Sequence, residues 1–564
     1  MLKLFLVLFL VSLVNVNAKR PIVEISNGKI RGEIMFTPNN RSFYAFRGIP
    51  YAKPPLDDLR FQPPQRLDDW EGVLDSDAKD RMCVQTTSNL MPNEGEDCLY
   101  IHVYTPKLPT KKQKVSLPVM YVIHGGAFVL GTPTPAMLGP HYLMDYDIVI
   151  VSVGYRLGFL GFLATEDLNC PGNNGFKDQQ FGLRWVQENI HKFGGDRRRV
   201  TIFGESAGAA SVGYQLLGSN AKGLFNGAIM NSGSSLVNWS LQRNPKKIAY
   251  RFAKHIDPRI DENNTSTSEL MKFFRTLKVQ TIKTACTELF GEGLLSLHYR
   301  TLAGFLFAGT IEPEHEGAFL TKAPYQMLLK GDFNVVPTML GVTSEESLFL
   351  GNDLTMEGRM VHYNKNPEHL VLPSMHVTDP DSIKKAGQTI KDLYEPSGSL
   401  DLSRALSIKY FSDTTFDRPV MKQAEMQSKY TDVFLYMFGY SGEMGKNSLS
   451  SHVPGAEKVV HAEDMMYLFS SVESKDIYSF RSQDRKTMKR MLTLWSNFVK
   501  YRNPTPKRLE ILENVIWPRI RSLDMIPYLH INDTLKVKHN YKKKMMDVYK
   551  HLYDTYAEQS LDVY

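Results

Sequence analysis

Short, nearly unbroken apolar runs recur along this chain, separated by polar or helix-patterned stretches. They are Ile22–Ile25, Tyr100–Tyr104, Val119–Ile123, Ile148–Val153, Val200–Phe203, Gly227–Met230, Thr338–Val342 and Val433–Phe438. Runs of this length, rich in Val, Ile, Tyr and Phe, suit strands buried on both faces. Helical spacing lies between several of them, as in Phe181–Phe193 with Leu183, Trp185, Val186 and Ile190. Strands alternating with helices predict a large, mostly parallel central sheet covered by helices. The stretches 240–330 and 355–425 read as helical or irregular and are expected to cap that sheet; 359–400 is the least readable part.

Residues 1–18 stand apart from this pattern. Lys3 is their only charge, Leu4–Leu10 is unbroken apolar, and Val16-Asn17-Ala18 offers small residues for cleavage. That is the layout of a secretory signal peptide, and the apolar run is short for a membrane span of about 20 residues. The polar C-terminus carries neither a hydrophobic tail nor a retention signal, so free secretion to the extracellular space is expected. No linker or repeat interrupts 19–564, which is read as one domain. Asn-x-Ser/Thr acceptors for glycan begin at Asn40, Asn238, Asn263, Asn264 and Asn532, the third and fourth overlapping.

Composition narrows the classes. At 564 residues and 42% hydrophobic, the chain can bury a large core. A net charge of +7 is mild for this size, and nothing resembles a nucleic-acid module. The basic residues Lys536, Lys538, Lys542, Lys543 and Lys544 read as a solvated helix face. Four cysteines allow three complete pairings. Cys83 and Cys98 bracket a polar loop and are the obvious disulfide, worth about 3 kcal/mol in the chain-entropy picture. Cys170 and Cys286 stay open.

The chemistry enters at Val200-Thr201-Ile202-Phe203-Gly204-Glu205-Ser206-Ala207-Gly208, an apolar strand, then Gly-x-Ser-x-Gly, then small helix formers. A serine on a sharp strand-to-helix turn projects its hydroxyl above the sheet edge, and the next N–H meets the helix N-terminus. This is a serine hydrolase layout. About eighty residues earlier, Tyr121-Val122-Ile123-His124-Gly125-Gly126-Ala127-Phe128 is a strand ending in a glycine-rich loop, the usual source of oxyanion-binding N–H groups.

With Phe193-Gly194-Gly195-Asp196 before the elbow, the chain resembles the type-B carboxylesterase and cholinesterase family of α/β-hydrolases, insect secreted carboxylesterases among them. Glu96-Asp97-Cys98-Leu99-Tyr100-Ile101-His102-Val103-Tyr104 is similar to a second family motif, with His102 where Asn is usual. Ala45–Ala52 and Asn173–Gln179 are similar to two more. The resemblance covers nearly the whole chain after residue 18. It implies an α/β-hydrolase fold with helical capping insertions, a small-molecule ester as partner, and no cofactor, metal or protein partner.

It also implies the remaining site residues. Gly341–Phe349 is similar to the family's acid segment, making Glu346 the acid, with adjacent Glu345 as the alternative because Ser347 replaces the usual glycine. Val460-His461-Ala462-Glu463-Asp464 makes His461 the base, with His452 its nearest competitor. The oxyanion N–H groups fall on Gly126, Ala127 and Ala207, with Ala127 where a third glycine is common. Trp239 resembles a wall of the acyl pocket or, equally, a core tryptophan. Arg47 with Glu96, and Arg156 with Asp178, resemble structural ion pairs of the family. The expectation is carboxylic ester hydrolysis by a Ser206–His461–Glu346 triad, limited on the acid side near pH 6.5 if the imidazole is unperturbed.

Two rivals share the resemblance. One is a catalytically inactive esterase-like binding or adhesion protein, disfavoured because serine, histidine and acid are all present. The other is a juvenile hormone esterase-like enzyme, from which Glu205 departs, since glutamine usually precedes the serine there. Cholinesterase is disfavoured because residues 84–97 contain no aromatic side chain to stack a quaternary ammonium.

Overall fold

Seven of the eight apolar runs supply strands of an eleven-stranded sheet. The structure is a computed structural model that describes residues 20–76, 80–87, 91–296, 305–352, 355–394, 404–445, 453–471, 476–557 and 560–564. The segment read as a signal peptide and His452 lie outside these. In chain order the strands are β1 (Glu33–Phe36), β2 (Ser42–Pro50), β3 (Tyr100–Thr105), β4 (Leu117–Ile123), β5 (Val149–Val153) and β6 (Gly195–Glu205). They continue as β7 (Gly227–Asn231), β8 (Thr338–Thr343), β9 (Val433–Phe438), β10 (Pro527–Ile531) and β11 (Leu535–His539). Across the sheet the order is β1-β2-β3-β5-β4-β6-β7-β8-β9-β10-β11. From β5 to β10 all neighbours are parallel, and β1–β3 and β11 add antiparallel edges.

The central strands are apolar on both faces because both are covered. On β4, Val119, Tyr121 and Ile123 enter one core and Met120 and Val122 the other. The first core takes in α1 (Asn174–Asn189) and α2 (Ala207–Leu217), through Phe176, Leu183, Val186, Val212 and Tyr214. α3 (Val279–Ser296), α4 (Arg404–Ser412) and α5 (Arg418–Gln427) belong to the two stretches expected to be helical. The second core is closed by α6 (Ser482–Tyr501), with Met491, Trp495 and Phe498, and α7 (Lys543–Tyr556) packs into the first. No described helix is long and apolar enough to cross a membrane.

Several expectations need correction. Ile22–Ile25 is a strand, but it pairs with Gly28–Arg31 in a separate three-stranded sheet. The helix expected over Phe181–Phe193 starts earlier, at Asn174. Its first turns bury Lys177, Asp178, Gln179 and Gln180, whose polar side chains hide the amphipathic pattern. The terminal lysines are not one solvated helix face: Lys536 and Lys538 lie on β11, and Lys542 reaches inward to Asp413 at 2.5 Å and Asp417 at 2.6 Å.

Ion pairing differs likewise. Arg156 and Asp178 form the expected buried bidentate pair, 2.7 Å through Nε and through Nη2. Arg47 instead donates to Glu33 at 2.7 Å, because β1 and β2 register Glu33 opposite Ala45 and make Arg47 its diagonal neighbour. Glu96 is held by Arg60, whose guanidinium also reaches the carbonyls of Phe274, Arg275 and Leu277. Cys83 and Cys98 are bonded, and Cys170 and Cys286 are free and buried. Of the sequon asparagines, Asn238 is fully buried and its amide donates to Ser374 Oγ at 3.3 Å. Asn40, Asn263 and Asn264 are exposed and Asn532 is half-buried.

Candidate active site

Ser206 sits between the end of β6 and the first turn of α2, with φ 57° and ψ −123°. A non-glycine residue in that region is strained by about 1–3 kcal/mol, so the surroundings must hold it. They do so by close packing. A Cβ on Gly204 would lie 2.1 Å from the carbonyl oxygen of Gly208, and one on Gly208 would lie 2.2 Å from that of Ile123. The Ser206 N–H donates to the Asn231 carbonyl at 2.9 Å, tying the elbow to β7. The glycines of Gly-x-Ser-x-Gly are thus required by approach distances.

The glycine-rich loop after β4 passes directly over the elbow: a Cβ on Gly125 would stand 3.2 Å from that of Ser206. Gly126, Ala127 and Phe128 all have positive φ, 111°, 55° and 62°. Ala127 therefore takes a conformation that favours glycine, which explains why glycine is common there. Among the described residues, none accepts a hydrogen bond from the N–H of Gly126, Ala127 or Ala207.

Glu346 follows β8 and His461 follows Val459, whose carbonyl accepts from Glu345 N–H. His461 Nδ1 meets Glu346 Oε2 at 2.6 Å, and its backbone N–H donates to the Glu346 carbonyl at 3.2 Å. The other carboxylate oxygen, Oε1, accepts from Ser232 Oγ at 2.6 Å and Thr343 N–H at 2.7 Å. Glu345 points elsewhere, accepting from Ser412 Oγ and Glu457 N–H. Ser347 fits in place of glycine because its φ is −89°, open to any residue. A carboxylate on Nδ1 fixes the tautomer and leaves Nε2 as the basic nitrogen. Nε2 faces the end of β6, where Glu205 Oε1 lies 3.1 Å away and Ser206 is the next residue.

Sequence reasoning missed the charge around this imidazole. Burial alone would lower the His461 pKa, but Glu205 and Glu346 override it and raise it to about 9. Burial raises Glu205 to about 7, His461 opposing and Asp464 and Glu346 reinforcing it. Asp464, fully buried, accepts from Asn231 and Tyr436, and is pushed up to about 6 by burial and by Glu346. Glu205 stands inside the serine motif and Asp464 inside the histidine motif, so both were visible, but not their convergence.

Phe416 is a second omission. Its ring lies 4.5 Å from that of His461, on a π-helical turn, Asp413–Asp417, between α4 and α5. Lys542 bridges the two aspartates that end this turn. Single-turn π segments are frequent at functional sites. Trp239 packs between Phe128, Phe305 and Phe416 and donates Nε1–H to the Thr415 carbonyl at 3.0 Å. It is a residue of the first core, tied to the loop over Ser206 and to the ring beside His461.

The arrangement brings together a serine on a strained turn, an imidazole oriented by a carboxylate and backbone donors with no acceptor among the described residues, and among those residues no cluster of three or more groups could hold a metal ion. Esterase FE4 of Myzus persicae is 34% identical over 506 residues, covering 87% of this chain and 86% of its own. Juvenile hormone esterase of Tribolium castaneum is 30% identical over 528 residues, covering 89% and 88%. The crystal structure of juvenile hormone esterase from Manduca sexta, with OTFP covalently attached, matches with a TM-score of 0.82 at 27% identity, covering 95% of this chain and 100% of that one. A profile of the carboxylesterase family matches residues 19–549, and the chain, with its α/β-hydrolase sheet, belongs to that family.

Proposed function

We propose that this chain hydrolyses uncharged carboxylic esters in two steps through an acyl group on Ser206. One observation carries the reading: His461 Nδ1 is held by Glu346 at 2.6 Å, and its Nε2 lies 3.1 Å from Glu205 Oε1, the residue immediately before the strained Ser206. Ser206 Oγ attacks the ester carbonyl as its proton passes to His461 Nε2. The carbonyl electron pair moves to oxygen, which the N–H groups of Gly126, Ala127 and Ala207 receive. Collapse breaks the C–O bond, His461 protonates the leaving alkoxide, and water repeats the sequence on the acyl-serine. Trp239, Phe128, Phe305 and Phe416 supply an apolar wall suited to uncharged groups. Juvenile hormone-type esters belong among the candidate substrates because two relatives carry that name. Secretion after cleavage of 1–18 accords with the Cys83–Cys98 disulfide, a bond of oxidising compartments.

The test is whether the purified chain turns over p-nitrophenyl butyrate and whether one equivalent of paraoxon stops it. Absence of turnover would return the chain to the binding-protein reading. The pH profile adds a second check. Neutral His461 is the working base, so kcat/KM rises with pH, and its acid limb lies above 6.5 because the facing carboxylates raise the imidazole pKa. Glu205→Gln removes one of those charges and is expected to move the limb down by about one unit. An unmoved limb would show that Glu205 does not act on the imidazole.

A further inference from the structure

The loop bearing Gly126 and Ala127 turns through a run of left-handed residues and closes at Gly131, φ 112°. Within itself it has little to hold it: Val129 and Leu130 N–H both donate to the Gly126 carbonyl. The rest comes from outside. Gly158 N–H donates to the Phe128 carbonyl at 2.7 Å and Thr86 N–H to that of Val129 at 2.9 Å. At the closing residue, Gly131 N–H donates to Gln85 Oε1 at 2.7 Å, and Gln85 Nε2 donates to the Gly131 carbonyl at 3.0 Å. One side chain thus satisfies both backbone groups of Gly131, as a strand neighbour would. Only glycine fits at 131, since a Cβ there would lie 2.3 Å from His124 Nδ1.

Gln85 is itself fixed. It is 4% exposed, two residues past disulfide-bonded Cys83, whose carbonyl accepts from Nε2 at 2.7 Å. Its N–H donates to Glu94 Oε1 at 2.7 Å and its carbonyl accepts from Lys283 Nζ at 2.8 Å. Glu94 and Lys283 are ion-paired with fully buried side chains, and Lys283 comes from α3. The disulfide loop and a capping helix therefore meet on one glutamine, and that glutamine grips the loop over Ser206.

We propose that Gln85 is a positioning residue for ester hydrolysis: by holding Gly131 it fixes the direction of the Gly126 and Ala127 N–H groups. This rests on those groups being the oxyanion donors. Such donors work only when held in place before charge develops, so a loop free to relax loses transition-state binding while ground-state binding persists.

The experiment compares wild type, Gln85→Met, which keeps the bulk and loses both bonds to Gly131 and the one to Cys83, and Gln85→Glu, which keeps only the acceptor for Gly131 N–H. For each, kcat and KM for p-nitrophenyl butyrate are measured per paraoxon-titrated site, with the Ki of an alkyl trifluoromethyl ketone. Ser206 Oγ adds to that ketone carbon, His461 takes the proton, and the oxygen becomes an anion in the hole. Gln85→Met is expected to lower kcat about tenfold and raise Ki by a similar factor, with KM within about twofold and Gln85→Glu between. Unchanged kcat per site and unchanged Ki would overturn the proposal, even with a lowered Tm. Should Gln85→Met not fold, Gln85→Glu decides on the same two readouts. A wild type that neither turns over the ester nor binds the ketone would instead sink the reading of the hole.

Discussion

Ser206→Ala is expected to lower kcat/KM for p-nitrophenyl butyrate by about 10⁵- to 10⁶-fold, with the fold intact. The elbow is set by backbone packing: Gly204 against Gly208, Gly208 against Ile123, and Ser206 N–H on the Asn231 carbonyl. None of these uses the hydroxyl, so alanine takes the same strained conformation. What disappears is the nucleophile, and with it the acyl intermediate. Residual hydrolysis would come from water held near the donors of Gly126, Ala127 and Ala207, on the order of 10³-fold over the uncatalysed rate. An alanine variant within about tenfold of wild type would place the nucleophile elsewhere.

The second large effect belongs to the acid, and here the two neighbouring glutamates separate. Glu346→Gln is expected to lower kcat about 10⁴-fold, whereas Glu345→Gln stays within about threefold per titrated site and lowers Tm. Thr343 N–H and Ser232 Oγ converge on one oxygen of Glu346. A backbone N–H can only donate, so a glutamine must set its carbonyl there and turn its NH₂ toward His461 Nδ1. That nitrogen then accepts, the proton sits on Nε2, and the imidazole cannot take the serine proton. Glu345 is bonded to Ser412 and Glu457 N–H, away from the imidazole, so its loss is felt in stability. Equal kcat losses at both positions would contradict this division.

The parts of the site that were legible in the sequence are those whose geometry demands particular residues. The elbow needs glycines where backbones touch, and they stand at 204 and 208. Ser347 takes the place of the usual glycine without strain because its φ is −89°, whereas Ala127, at φ 55°, stands in a conformation that favours glycine. The central strands were legible because burial on both faces leaves continuous apolar runs. The edge strands were not: β11, Leu535-Lys536-Val537-Lys538-His539, shows one face to solvent and read as a basic segment. Pairings set by register or by distant elements stayed hidden. Arg47 finds Glu33 across β1 and β2, Lys542 finds Asp413 and Asp417 under the π turn, and Phe416 reaches His461 from that turn. The acidic surroundings of the imidazole arise only when β6, β8 and the His461 segment meet, so a base expected near pH 6.5 is held well above it.

The central claim is that ester hydrolysis runs through Ser206. Its most direct test is to stop the wild-type chain with paraoxon, digest it, and find by mass spectrometry which residue carries the diethylphosphoryl group. The account predicts one group per chain, on the peptide containing Gly204-Glu205-Ser206-Ala207-Gly208, and none after Ser206→Ala. A phosphoryl group on another residue, or loss of activity with Ser206 unmodified, would contradict it.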